Sequence, residues 1–383
     1  RYARTHAPFT AQDVATRLGL GVTVVTQALR RLVALDKVLE GEFVPGGQGR
    51  EWCDAGVLRT LKRRSLARLR HAVEPVDGAV LGRLMLDWQG ITRPRAGLDA
   101  LLGAVEQLQG AAIPASVLET EVLPARVEGY RPGDLDALCA AGEVVWRGVE
   151  SLGPHDGRVA LYLTDHAPLL SPLPTVVEGA LAQQIRTLLQ ARGAVFFHDL
   201  VGGTGAFQAD LLNTLWDMVW AGEVTNDTVA PLRSLLRQGS AGKQARVRGR
   251  TFRSRRLAPP ASEGRWSLLV PALPRPTETQ RRHALVRTLL ERHGVLTREA
   301  IHAENVPGGF TAVYDVLKAM EDAGRARRGY FVAGLGATQF ALPGADDRLR
   351  ALKEEPAAHR TVVLAATDPA NPYGAALPWP EKE

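Results

Sequence analysis

Cysteine is nearly absent from this 383-residue sequence: Cys53 and Cys139 stand far apart, with no metal-ligand neighbours. That excludes a disulfide scaffold, argues against a zinc site and fits a reducing cytoplasm. No other metal constellation is visible. No apolar run reaches transmembrane length and no signal peptide opens the chain, so no membrane partner is expected. A phosphate loop is missing too. Gly242-Lys243 lacks the glycine spacing and the hydroxyl, Gly202-Gly-Thr-Gly205 lacks the lysine, and no Asp-Glu-x-His box occurs. His198-Asp199 has no serine or cysteine tied to it. Excess charge is modest, +6 with a pI near 9.6, supplied mostly by Arg. It admits a nucleic-acid partner but, spread evenly, would mean little.

What is present is a repeated grammar. Leu135–Val149 reads as the end of a helix, a glycine stop at Gly142 and an apolar strand. The same order recurs at Ala28–Phe43, Leu212–Thr225 and Val316–Val332. A helix running straight into a hairpin is the second half of a winged helix, in which the last helix reads a groove and the hairpin is the wing. Four copies predict a tandem array.

In the first copy Thr10 caps a helix with an apolar stripe of Val14, Leu18 and Leu20. A tight turn leads to the recognition candidate Thr23–Leu35, with Thr23, Gln27, Arg30 and Arg31 outward. Pro45–Gly49 forms the wing tip and Arg50 sits where the hairpin returns. The first helix of this copy is nearly missing, and the chain opens on Arg1, which reads as a piece of a longer protein. Val57–Val73 is a basic helix containing Arg63 and Arg64, suited to phosphate contact or to a solvated face. In the third copy the helix surface carries Asp210, Asn213 and Asp217, a poor DNA reader, which favours a structural role. Pro231–Leu257 crowds nine basic residues, Arg246, Arg248 and Arg250 among them, and reads as a phosphate-binding arm or a basic loop. In the fourth copy Tyr314 and Lys318 face outward. Thr361–Ala366 reads as a buried strand opening a further module.

Several short stretches then carry a resemblance. They are Phe43–Asp54, Arg63–Ala67, Trp88-Gln-Gly90, Glu106–Gly110, Leu123-Pro-Ala-Arg126, Gly142–Trp146 and Ala366-Thr-Asp-Pro-Ala-Asn-Pro-Tyr-Gly374. Together and in this order they resemble the large helicase-related (Lhr) family of bacterial superfamily 2 helicases, over nearly the whole chain. The resemblance implies an α+β, mainly helical fold: tandem winged-helix (helix-turn-helix) domains and the start of a C-terminal β-barrel module. It implies a position beyond the ATPase core, so that ATP and Mg belong to that absent core and no cofactor to this chain. Domains are expected at 1–54 (a winged helix lacking its N-terminal part), 55–170 (with extra helices), 171–258 (with a basic loop), 259–345, and 346–383 as the start of a β module. The implied partners are DNA, single-stranded or forked, the helicase core of the same polypeptide, and further copies of the chain.

The same region resembles the AlkZ group of winged-helix DNA glycosylases, whose catalytic motif is Gln-hydrophobic-Gln; Gln107-Leu108-Gln109 matches it, without the Asp-Pro that commonly follows. On that resemblance the two amides position a water and stabilise the sugar cation as a flipped base departs. The plain alternative is that both glutamines end a helix at Gly110. Three functions therefore stand: a DNA-binding array assisting a repair helicase, a glycosylase acting on uracil or alkylated bases, and a homo-oligomerisation scaffold.

Overall fold

The computed structural model describes residues 2–6, 8–44, 49–71, 74–244, 259–269, 275–354 and 361–379, in two compact units, Arg1–Glu74 and Pro75–Glu383. In the first unit Thr10 and Asp13 cap helix α1 (Ala11–Leu18) reciprocally. The Thr10 hydroxyl accepts from the Asp13 N–H at 3.3 Å, and the Asp13 carboxylate accepts from the Thr10 N–H at 2.8 Å. Helix α2 (Val22–Ala34) turns Val25 and Leu29 onto Phe9, Val14, Val38 and Trp52. Leu18 and Leu20, expected inward, are about half exposed, because α1 stops at Gly19 and the chain leaves the core there. Strand β1 (Val38–Gly41) pairs with β2 (Glu51–Asp54), and Phe9 bridges Trp52 on the other side of β2. Asp54 accepts from the N–H groups of Gly56 and Val57, so helix α3 (Ala55–His71) starts two residues earlier than its sequence pattern suggests.

The second unit begins with α4 (Gly78–Trp88), capped by Asp77. A first winged helix follows: β3 (Arg95–Ala96), α5 (Leu98–Leu108), β4 (Ile113–Pro114), α6 (Ala115–Val117), a π turn over Leu118–Val122, α7 (Leu123–Arg126), β5 (Val127–Glu128), α8 (Pro132–Ala140), β6 (Val144–Ser151) and β7 (Gly157–Leu163). After α9 (Ala167–Leu170) comes a second, built of α10 (Ala180–Arg192), β8 (Val195–Phe196), α11 (Phe197–Thr204), α12 (Gln208–Trp220), β9 (Val224–Asn226), α13 (Ala230–Gln244) and β10 (Arg265–Leu268). The third has α14 (Glu278–His293), β11 (Val295–Leu296), α15 (Arg298–Ala303), α16 (Gly309–Asp322), β12 (Arg327–Gly329) and β13 (Gln339–Ala341), followed by α17 (Ala345–Ala351). The sheet orders are β4-β7-β6, β8-β10-β9 and β11-β13-β12. Each time the returning wing strand lies between the strand before the second helix and the outgoing wing strand. That one topology, repeated, is the winged helix.

Three details differ from the sequence expectation. Arg265–Leu268, assigned to the fourth copy, completes the sheet of the third by pairing with both β8 and β9. The front of the basic stretch is helical, as α13. Thr361–Ala365 forms no strand, and no closed barrel is seen among the described residues.

The first two winged helices of this unit share one continuous core, from Leu101 and Trp146 through Leu215 to Trp266. Helix α12 lies on the wing of its predecessor. A Cβ at Gly148 would overlap the Val219 carbonyl, and one at Gly157 would stand 2.5 Å from the Trp220 ring. Helix α4 packs elsewhere in the unit, against Val295, Phe331, Val332 and Ala341 of the third winged helix, and Val76 bridges Val332. Tyr373 and Leu377 of the final segment cover its other side.

Gly148→Ala must therefore push the α12 backbone away from β6. It is expected to cost about 1–3 kcal/mol and to lower the thermal midpoint. Gly133→Ala, in α8 with open space around its Cβ, is expected to be neutral or stabilising by up to about 1 kcal/mol. Thermal unfolding of the two variants checks both.

Candidate functional site

Charge is not spread evenly. Residues 1–74 hold thirteen Lys and Arg against seven Asp and Glu, which is the whole net charge of +6; the rest of the chain has thirty-four of each sign. Within this first unit Thr23, Gln27, Arg30 and Arg31 are exposed on α2, and Lys62, Arg63 and Arg64 are exposed on α3. Arg50 is exposed and pairs with Glu40 at 2.8 Å, across the wing strands. A recognition helix, a wing and a basic helix thus sit on one small fold whose polar side faces solvent.

In the second unit two of the three equivalent helices are engaged in part by neighbouring elements. Helix α8 is tied to α13 through Asp136. Arg233 donates to Glu119 (2.6 Å), to Asp136 on α8 (2.7 Å) and to the Pro132 carbonyl (2.9 Å), while the Val229 N–H donates to Asp136. Helix α12 is pressed on the preceding wing. Helix α16 keeps Thr311, Asp315 and Lys318 exposed, whereas the exposed face of α12 is the acidic one expected, with Asp210, Asn213 and Asp217. Tyr314, expected outward, is half-buried against Phe310 and Phe340, and its hydroxyl accepts from Arg328. Arg246, Arg248 and Arg250 lie outside the described residues.

Gln107 and Gln109 sit at the end of α5, where the third winged helix docks. The Gln107 amide donates to the Trp88 carbonyl at 3.1 Å. Gln109 is 3% exposed; its oxygen accepts from the Leu163 N–H, and its nitrogen donates to the Glu106 carbonyl and lies 3.1 Å from His166 Nδ1. The backbone carbonyls of both glutamines accept from Arg292 of α14. A nearby cavity of about 500 Å³ is lined by Asp99, Glu106, Glu143, Asp165 and His166, and by neither glutamine. Its acidic lining is the wrong sign for a phosphate backbone.

Around this segment runs a buried polar network that the sequence pattern did not announce. Arg292, 2% exposed, also pairs with Glu304, which holds His293 at 2.8 Å. Trp88 and Gln89 donate to the carbonyls of Glu291 and Arg292. Arg126 is shared between Asp368 and Gln89. Of these, only Trp88-Gln89, Arg126 and Asp368 fell inside stretches singled out from sequence. Burial tends to raise the Glu304 carboxyl, but Arg292 and His293 outweigh it and hold the group at about 2. The Cys139 thiol is pushed up to about 12, first by burial and then by Asp136, and so is no nucleophile at neutral pH. No group of three or more possible metal ligands occurs among the described residues, and none of their helices is long and apolar enough to cross a membrane.

Comparison with known proteins now bears on this geometry. Residues 76–164 match the third, and residues 275–361 the fourth, winged-helix domain of the large helicase-related protein. A Mycolicibacterium smegmatis protein named "Lhr helicase/ probable uracil glycosylase" is 45% identical over 405 residues. The Escherichia coli "Lhr helicase/uracil glycosylase" is 37% identical over 422. Each alignment takes in 99% of this chain. The chain belongs to the large helicase-related (Lhr) family. It spans 26% and 27% of the lengths of these two Lhr relatives. The two matched Lhr domains are the ones joined by α4 and by the Arg292 network, with the α10–β10 winged helix between them in sequence.

Glu304→Gln leaves the Arg292 guanidinium buried beside a neutral amide and is expected to cost about 3–5 kcal/mol at pH 7. Because the folded-state carboxyl is depressed from the ordinary glutamate value of 4.5 to about 2, its contribution is complete above the ordinary carboxylate range. It is lost as pH falls from there toward 2. The stability gap between native protein and variant, followed by urea unfolding, should stay constant from pH 8 to 5 and close only below that window.

Proposed function

We propose that this chain is the nucleic-acid-binding accessory region of an Lhr-type helicase, and that the unit Arg1–Glu74 makes its principal contacts. The observation that carries the reading is the concentration of the entire net charge in that unit, on the one fold that pairs a free recognition helix with a basic second helix. Thr23, Gln27, Arg30 and Arg31 reach base edges or phosphates from α2, and Arg63 and Arg64 hold the backbone from α3. Lys318 on α16 is a second point of contact. The substrate is DNA with single-stranded or forked character, as suits a region attached to a helicase. ATP and Mg are handled by the helicase core of the same polypeptide.

Replacing Arg30, Arg31, Arg63 and Arg64 with Ala should weaken DNA binding evenly across sequences. It should also flatten the dependence of log affinity on log salt by about one for each phosphate contact removed. Fluorescence anisotropy at several salt concentrations reads both; an unchanged slope would move the interface off this unit.

A second reading, base excision, is favoured by the names of the two relatives, which pair a helicase with a uracil glycosylase. Gln107 and Gln109 are its candidates on this chain, although their amides already serve the surrounding backbone. On this reading the chain releases uracil from a single-stranded oligonucleotide, seen as alkaline strand cleavage, and Gln107→Ala abolishes release while DNA binding persists. Release that survives in Gln107→Ala and in Gln109→Ala would remove both residues from the chemistry.

A further inference from the structure

Helix α2 of the unit Arg1–Glu74 has two outward sides. Thr23, Gln27 and Arg30 form a polar one. About 100° round the helix, Val24, Ala28 and Leu35 form an apolar one, with Arg31 between them. Val24 and Leu35 are 60% and 63% exposed, although Leu32 beside them is half-buried against the core. In the other unit a helix packs on the third helix of every winged helix. Helices α5, α10 and α14 stand directly ahead of strands β4, β8 and β11 and pack on α8, α12 and α16. Counted back from the wing glycines Gly41 and Gly329, which lie opposite Glu51 and Gln339, Val24 and Ala28 match Ala312 and Val316 of α16. There Val316 is packed into the cluster that holds Val286, Leu289 and Leu290 of α14. In Arg1–Glu74 the strand position is taken by Phe9, which bridges Trp52, and ahead of it stands the 3-10 turn Tyr2–Arg4.

We infer that the apolar side of α2 is the seat of an amphipathic helix that runs into Tyr2–Arg4 and is supplied by the Lhr polypeptide ahead of residue 1. Tyr2 and Ala3 pack against the core of this unit, and the Tyr2 ring meets Phe9 edge-on at 5.2 Å, so the last turn of that helix is in place. The two relatives leave ample chain for the rest, since this sequence spans 26% and 27% of their lengths. Arg31, at the edge of the stripe, calls for an acidic residue on the incoming helix. The same side of α2 offers none, so pairing two copies through α2 would bring two Arg31 groups into one small interface with no acid to meet them. Covering this side leaves Thr23, Gln27 and Arg30 free. The seat therefore coexists with the nucleic-acid reading and does not rest on it. It makes α2 the point at which the preceding polypeptide is joined to this array.

The test compares this chain with the Lhr polypeptide that carries, in addition, the native residues ahead of residue 1. Amide hydrogen exchange across Val25–Leu35 should slow on the order of tenfold or more in the longer protein, as burial of even one such side chain requires. Val24→Asp should leave exchange unchanged in this chain, where the side chain faces solvent, and should abolish the gain in the longer one. Equal exchange in the two proteins would overturn the inference. So would a Val24→Asp variant that speeds exchange in both, which would mean that the seat is filled from within this chain. Exchange that slows with protein concentration would overturn it in favour of a second copy. Val24→p-benzoylphenylalanine in the longer protein gives an independent readout: its photo-cross-link should fall on the added residues of the same molecule, and a cross-link elsewhere would overturn the assignment of the occupant.

Discussion

Two guanidinium groups placed almost out of reach of water organise the unit Pro75–Glu383. Arg292 and Arg126 are 2% and 4% exposed, and a buried charge survives only where hydrogen bonds and opposite charge replace its hydration. Arg292 finds them in Glu304 and in the carbonyls of Gln107 and Gln109. Arg126 finds them in Asp368, Gln89 and the Val122 carbonyl. The partners come from the ends of α4, α5 and α15, from the π turn before α7 and from the segment after α17, most of them far apart in sequence. Satisfying two charges thus fixes how the first and third winged helices of the unit sit against each other.

That constraint governs which surfaces remain for a ligand. A winged helix that reads DNA must leave its last helix and wing free. Here the wing β6–β7 receives α12, and α8 receives α13 through Arg233. Packing engages part of two such surfaces and ties the modules of this unit into one body.

The Gln-x-Gln segment shows the same logic at the level of single groups. Amides that could hold a water in a catalytic pocket here cap a helix end, anchor Leu163 and line up two carbonyls for Arg292. Those bonds account for the two glutamines structurally, whatever chemistry the wider polypeptide performs.

Periodicity, glycine stops and hairpin signals determined the repeated helix-to-wing grammar, because each depends on contacts within about thirty residues. The Thr10 cap, the α2 face with Arg30 and Arg31, and the family resemblance were legible for the same reason. Only tertiary structure decided the rest. Arg265–Leu268 joined an earlier sheet because its partners β8 and β9 lie across an insertion that no local pattern spans. Tyr314 turned inward because Phe340 and Arg328 supply a site for its ring and hydroxyl. The burial of Arg292 against Glu304 had no sequence signature at all. Charged residues at ordinary helix positions read as surface until packing removes their water, and that is a property of the whole fold.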